Sequence, residues 1–576
     1  MITIVTEIAK YLIIFFMVLY TVKCFTVLKP VPADKKRRAL NVQIFYVFMI
    51  HFLCYLTLYL HYEKKSILIF YLLQMIVSIT YMVSYHAIYK GSSRLITNNM
   101  SFLLLIGYVM LTRLDFDLAK KQFIFATIML VVTAFVPLFV VKFPQIKKWN
   151  IFYAVFGIGF LCTVFIPHVG VDKYGSNNWI SIGGISMQPM EIVKIIFVFF
   201  LASSFEKAKN FKDMMKTICV AGLFMLVLVA ETDLGGAVIF FMVFVMMLYL
   251  ATGKHSILIG GGLGGSVLAV VGYMLLKNHF SHVTMRIDAW LNPIEYIDGS
   301  GYQVAQSLFA IGSGGFEGTG LCQGLPTSIP VVSSDFIFAA ICEELGVIFG
   351  LCLLLMYLSC FIYFINISMK IRDAFYKNVA FGFTICFIFQ IFLNVGGVVK
   401  FIPSTGVTLP LVSYGVSSVV STLIIFGIIQ GICVLENRGV DKNVRQESIS
   451  REEWTETPVA VRGQSNSGEK QRKQKQRQDT TGKRRTQMNS GENSDILDKK
   501  TNDKKNVPVL VITYFVVIIF ICMFAYIIVF MVRDSRTFIA NSYNGRQSLY
   551  AEKIKKGSII SSDGNVLAET LTDDDG

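Results

Sequence analysis

Charged side chains are scarce in this chain. Only 16% of its 576 residues are Asp, Glu, Lys or Arg, while 54% are hydrophobic; a soluble domain carries roughly a quarter charged residues. That shortage, with a mean hydropathy of +0.59, excludes a water-soluble multidomain protein and puts the chain in a membrane. Cysteine is sparse and scattered too. The 11 cysteines lie mostly inside apolar runs, Cys322 excepted, and no two form a CxxC pair, so neither a disulfide framework nor a thiolate metal site is signalled. The seven histidines form no ligand cluster. The chemistry must therefore rest on carboxylates, amines and backbone.

What is abundant is apolar sequence in runs near the roughly 20 residues that cross a hydrocarbon core. Tyr11 to Leu28, Ile67 to Tyr89, and Leu223 to Ala230 continuing into Leu234 to Leu250 are examples. The pattern predicts an all-α polytopic membrane protein with about thirteen spans up to Leu435. A polar tract at 436–507, rich in Gln, Ser, Lys and Arg, reads as a disordered linker. One further span follows at 508–532, and 533–576 lies beyond it.

The net charge of +15 reports topology, because the Lys/Arg excess sits in short inter-span loops and the linker and forms no folded basic face for nucleic acid. Lys29, Lys35, Lys36, Arg37 and Arg38 follow the first span, so that loop is expected to be cytoplasmic and the N-terminus outside. Alternation then makes the linker cytoplasmic and the C-terminus external. Within the linker, the basic run from Lys470 to Arg485 is either a solvated charge run or one drawn to the anionic inner leaflet. Three segments fall outside: Gly170 to Gln188, roughly Lys277 to Ser334, and Lys400 to Thr408. A loop of nearly sixty residues among otherwise tight connections is a functional pointer.

Three motifs sit at these outward segments, and one more sits at a helix break near the outer face. The first, WISIGGISMQPMEIVK, carries Trp179, Gly183, Gly184, Gln188, Pro189, Glu191 and Lys194. Pro189 suits a first helical turn, and Glu191 and Lys194 then share a face; they either form a structural ion pair or line a cavity for a polar head group. The second, ETDLGG, interrupts an apolar stretch with Glu231 and Asp233. Asp233 is a helix cap or a ligand for a sugar or a metal-bound pyrophosphate. The third is the long loop RIDAWLNPIEYIDGSGYQ, continuing to SDFIFAAICEELG. The fourth, VKFIPSTGVTLPLVSYGVSS, carries Lys400, Ser413 and Tyr414.

Together these motifs resemble the SEDS family (RodA, FtsW, SpoVE), over about 99–435, with residues 1–98 as three extra helices before a ten-helix core. Arg286, Asn292, Pro293, Gly301, Tyr302, Gln303, Asp335, Glu343 and Glu344 all stand where the family carries them. Met190, Thr232 and Val416 replace the family's Ser, Pro and Gly. The family's catalytic aspartate lies between N-P and G-Y-Q. Tyr296 occupies its position here, so the resemblance carries the role to Asp298, with Glu295 as the alternative. It further implies substrate contacts from Trp179, Gln188, Glu191, Lys194, Asp233, Arg286, Gln303, Lys400, Ser413 and Tyr414.

The resemblance implies a peptidoglycan glycosyltransferase of the bacterial cell membrane. It would polymerise lipid II, with a divalent cation (Mg or Mn, ligands unassigned), in elongation, division or sporulation. The rival readings are a lipid II flippase and an inactive scaffold. The stretch KKGSIISSDGNVLAET after the last span is similar to the opening of a class B penicillin-binding protein, which implies a fusion, truncated or split, or a separate transpeptidase partner.

Overall fold

The computed structural model describes residues 2–173, 176–183, 185–276, 281–455, 506–548, 557–563 and 565–568. Three helices, α1 (Ile2–Leu28), α2 (Ala33–Tyr62) and α3 (Lys65–Ile88), come first. The core follows with α4 (Arg94–Leu114), α5 (Phe116–Thr133), α6 (Val136–Lys142), α7 (Asn150–Leu161), α8 (Pro189–Lys207), α9 (Phe211–Ala230), α10 (Leu234–Thr252) and α11 (His255–Leu276). Three short helices, α12 (Ser281–Leu291), α13 (Tyr302–Gly314) and α14 (Ile337–Leu345), build one pole; α15 (Val347–Lys370), α16 (Ala374–Val398) and α17 (Val416–Thr455) complete the bundle. A final helix, α18, spans Asn506–Ile539.

Among the described residues, eleven segments are long and apolar enough to cross a membrane, the last being α18. With two shorter apolar helices, Asn150–Phe165 and His255–Leu268, and α8, thirteen precede Asn437, in agreement with the hydropathy reading. The chain is an all-α multi-pass membrane protein. The helix begun at Val416 runs past Leu435 to Thr455, and the rest of the sequence-read linker, 456–505, lies outside the described residues.

Local chemistry sets the helix ends. Asp115 caps α5 by accepting from the backbone N–H groups of Asp117 and Leu118, and Asp373 caps α16 through those of Phe375 and Tyr376. Pro189 opens α8, where its missing N–H costs nothing. The most apolar windows of α4, α16 and α17 are 100%, 94% and 83% buried, against 22% for α3, so these three helices form the centre and α3 faces lipid.

The extra helices are joined to this centre by polar contacts that an apolar surrounding favours. The Tyr20 hydroxyl donates to Asn99 Oδ1 at 2.6 Å, and Asn98 Nδ2 donates to Gln43 Oε1 at 3.2 Å. Along α18, Val509, Ile512, Val516, Phe520, Met523 and Ile527 are buried at three- and four-residue spacing, a single stripe that packs on the core beside Phe392 and Phe401.

Gly170 to Gln188 is more ordered than a loop. Strands β1 (Gly170–Lys173), β2 (Ser176–Ile182) and β3 (Ile185–Met187) pair antiparallel in that order, with Val171 opposite Trp179 and Ser181 opposite Ser186. Gly184 lies outside the described residues. A short antiparallel pair, β4 (Ile559–Ile560) with β5 (Val566–Ala568), follows α18.

Candidate active site

A cavity of ≈ 380 Å³ opens at the pole built by α12 to α14, between the start of α13, the end of α16 and the loop that follows α16. Arg286, Gln303, Asp335, Asn394, Thr405 and Gly406 supply its polar wall. Gly406, at φ +73°, lets the backbone pass close to both charged groups: a Cβ there would stand 3.5 Å from Arg286 Nη2 and 3.8 Å from Asp335 Oδ2. A side chain would be strained by that dihedral.

Asp335 is fixed from two sides. Its carbonyl accepts from Asn394 Nδ2 at 2.8 Å. The residues before it are gripped by the fourth motif, because the Ser413 hydroxyl donates to the Ser334 carbonyl and the Tyr414 N–H donates to the Ser333 carbonyl at 2.7 Å. Burial pushes the Asp335 carboxyl up to about 6, while the Ser334 hydrogen bond and the Arg286 charge pull it back. Among the described residues Asn394 Oδ1 and Thr405 Oγ1 are buried without a partner, and both residues line the same space, so they can bond a polar ligand.

The other residues singled out in the sequence divide into groups. Gln303 and Arg286 stand in the cavity wall. Asp298 and Glu295 are exposed on the loop between α12 and α13; Glu295 Oε2 accepts from Asn292 Nδ2 at 2.9 Å. Ile297 is buried against Ala305 and Phe309, leaving its neighbours on the outside, and the adjoining Gly299 and Ser300 reach the cavity wall. The loop closes at Gly301, where a Cβ would lie 2.3 Å from the Pro293 carbonyl oxygen. Ser413 and Tyr414 act on the cavity through the 333–335 backbone. The Lys400 carbonyl accepts from Trp290 Nε1 at 3.1 Å and from the Tyr526 hydroxyl at 3.3 Å. Burial lowers the Lys400 amine's pKa and the nearby Asp534 raises it again.

The first two motifs form a separate polar layer. Gln188 Nε2 donates to Asp233 Oδ2 at 3.0 Å, and Asp233 Oδ1 caps α10 through the Gly236 N–H at 2.8 Å. Thr232 holds φ +60°, which a proline, fixed near −65°, could not adopt. Trp179 lies half-buried in β2. Glu191 and Lys194 are buried and bonded to each other, with Lys194 Nζ donating to Gln390 Oε1 at 2.8 Å and Ser421 Oγ donating to Glu191 Oε2 at 2.6 Å. Both charges are satisfied inside the bundle and neither borders the cavity.

Asp335, Asn394 and Thr405 had no functional role in the sequence reading, although Asp335 and Thr405 stood in matched motifs. A second omission is Arg546, which follows α18 and is 2% exposed. Its Nε and Nη2 grip Glu343 at 2.7 and 3.0 Å, and its Nη1 donates to Gln306 Oε1 at 2.9 Å. The neighbouring Glu344 instead accepts from Arg113 Nε of α4 at 2.8 Å. The C-terminal segment is thereby docked on α13, one turn from the cavity residues Tyr302 and Gln303.

Comparison with known proteins gives this geometry a family. The model of the FtsW, RodA and SpoVE cell cycle proteins matches residues 93–437, well over half of the chain. The chain belongs to the SEDS family. It is 31% identical over 354 residues to the peptidoglycan glycosyltransferase RodA of Mycobacterium tuberculosis (strain ATCC 25618 / H37Rv), covering 57% of this chain and 75% of the relative. It is 32% identical over 327 residues to the stage V sporulation protein E of Bacillus subtilis (strain 168), covering 55% and 87%. A chain solved in a study of the structural coordination of polymerization and crosslinking by a peptidoglycan synthase complex superposes with a TM-score of 0.50 at 23% identity, over 60% of this chain and 98% of that one; this likeness is one of fold. The matched SEDS residues begin at 93, so α1 to α3 lie before them, as do α18 and the docked Arg546 after.

Proposed function

We propose that this SEDS protein is a peptidoglycan glycosyltransferase that polymerises lipid II, transferring the growing glycan from its pyrophosphate carrier to the hydroxyl of an incoming disaccharide. The observation that carries the reading is the cavity in which Arg286 and Asp335 face one space beside the unpartnered Asn394 Oδ1 and Thr405 Oγ1. Relatives named peptidoglycan glycosyltransferase RodA support it.

The chemistry follows from the wall. A leaving pyrophosphate needs fixed positive charge, which Arg286 supplies with two parallel donors. An attacking hydroxyl needs a proton acceptor, and a carboxyl near 6 is ionised at neutral pH yet still basic enough to accept. Asp335 meets that requirement inside the cavity; Asp298, the resemblance's choice, stands one residue outside its wall. We therefore give the proton to Asp335 and make Asp298 the competing assignment. Among the described residues no group of three or more His, Cys, Asp or Glu could hold a metal ion. No step is routed through the divalent cation that the resemblance implies.

Basic span ends support a cytoplasmic face for the linker and an external face for the cavity. Segment 533–576 is read as the opening of a class B penicillin-binding protein, for which the docked Arg546 is the anchor; elongation, division and sporulation remain equivalent roles for such a unit.

The test is glycan polymer on a gel after incubating purified chain with lipid II and Mg²⁺ or Mn²⁺. Polymer lost with Asp335→Asn and kept with Asp298→Ala supports the assignment; the reverse returns the base to Asp298, and loss only with Glu295→Ala moves it there. Passage of labelled lipid II across liposomes without polymer would replace the enzyme by a transporter, and binding without turnover would make it a scaffold.

A further inference from the structure

The cavity at the Asp335 pole has a counterpart at the other end of the bundle. α16 runs between them: Asn394 is in its last turns, while Lys370 and Asp373 precede its first. This second cavity, ≈ 280 Å³, is walled by Lys36 of α2, Arg94 at the start of α4, Lys370 at the end of α15 and Glu436 of α17, over a floor that includes Leu40 and Tyr363.

Three cations face one carboxylate, and among the described residues none of the three has an ion-pair partner. Arg94 uses one donor on Asn41 Oδ1, at 3.2 Å, and keeps the others free of any ion pair. The wall is built rather than casual. Gln430 of α17 accepts from the Ser93 N–H at 2.8 Å and donates to the Ser93 carbonyl at 2.9 Å, while Asn437 Nδ2 donates to the Gly91 carbonyl at 2.7 Å. These bonds hold the turn before α4 in place, with Ser92 and Ser93 lining the space. Three cations around one carboxylate leave a net positive charge in the wall, which favours binding of an anion.

We propose that this cavity binds a phosphate group, carried by the headgroup of an anionic membrane lipid or by a free phosphate. Its position at the ends of four membrane-length helices, with apolar Leu40, Leu95 and Ile367 beside the cations, suits a lipid whose headgroup meets Lys36, Arg94 and Lys370 while its chains follow the helices. Lys36, Gly91 and Ser92 precede the SEDS match, which begins at 93, so the site depends on the extra helices.

The experiment is native mass spectrometry of the purified full chain, titrated with phosphatidylglycerol, with phosphatidylcholine, and with inorganic phosphate. Each cation near an anionic surface is worth about fivefold in affinity. Phosphatidylglycerol is expected to be retained over phosphatidylcholine, and Lys36→Ala/Lys370→Ala to weaken it roughly 30-fold. Lys36→Arg/Lys370→Arg should retain it, which separates loss of charge from loss of fold. Saturable binding of inorganic phosphate that the same double alanine variant abolishes, with no lipid preference, would support the site and identify the soluble source. Equal retention of both lipids, or phosphatidylglycerol binding unchanged in the double alanine variant together with no phosphate binding, would overturn it.

Discussion

Two acid–base pairings in this molecule differ in what surrounds them. Glu191 and Lys194 are three residues apart on α8, and their bonds run on to Ser421 and Gln390, and from Gln390 to the Thr408 carbonyl and Ser418. Arg286 and Asp335 come from distant segments, meet across Gly406 and border open space. The first pairing is closed and the second is poised. Burial alone therefore does not mark a reactive charge; a buried charge with an open face and displaced acidity does.

Breaking the closed pairing should have the largest effect. Lys194→Met removes the cation from Glu191 among apolar helices, which costs about 3–5 kcal/mol. Thermal unfolding in detergent is expected to drop sharply, and adding Glu191→Leu should recover most of the loss because the pair's own desolvation is then removed as well. A variant that unfolds normally yet loses polymerisation would show that the pair is not structural. At the open pairing the order of effects reverses. Arg286→Ala should leave unfolding nearly unchanged while lowering lipid II polymerisation about 10²–10³-fold, the usual cost of one charge-stabilising donor.

The docked C-terminal segment falls between these cases. Arg546 is as buried as Lys194, but it sits beyond α18 on a segment that can lift away and admit water to Glu343. Arg546→Ala should therefore cost about 2 kcal/mol, in the range of hydrogen bonds to a charged group. The readout is protease cleavage within 540–548, faster in the variant while the helical core resists. If cleavage is unchanged, the Glu343 grip does not hold the segment.

Much of this was legible in the sequence because it is local. Span number follows from hydropathy, the start of α8 from Pro189, and the family from motif residues at fixed spacing. What escaped is separated along the chain. Ser413 reaches Ser334 across 79 positions and Arg546 reaches Glu343 across 203, and no periodicity carries such pairings. The same distance explains why Lys194 was open to a role in substrate binding: its partners Gln390 and, through Glu191, Ser421 come from α16 and α17. The shifted carboxylate at Asp298 was visible, yet only the packing of Ile297 inward tells which way its neighbours face.

The smallest effect is a pH dependence, and it separates the two candidate bases. With its carboxyl raised from 3.8 to about 6 by burial, Asp335 binds more protons in the folded than in the unfolded chain between those values. Its contribution to stability is consequently most favourable below about 4 and declines as pH rises to about 6. Activity moves the opposite way, since a proton acceptor must be ionised: polymerisation should rise about tenfold per pH unit below about 6 and level off above it. Asp335→Glu should keep some activity with a displaced limb, and Arg286→Lys should move the limb upward, because a point charge that loses the guanidinium's fixed geometry pulls the carboxyl down less. A profile whose acid limb stays in place in both variants but shifts in Asp298→Glu would transfer the proton to the exposed loop and make Asp335 the residue that positions Arg286.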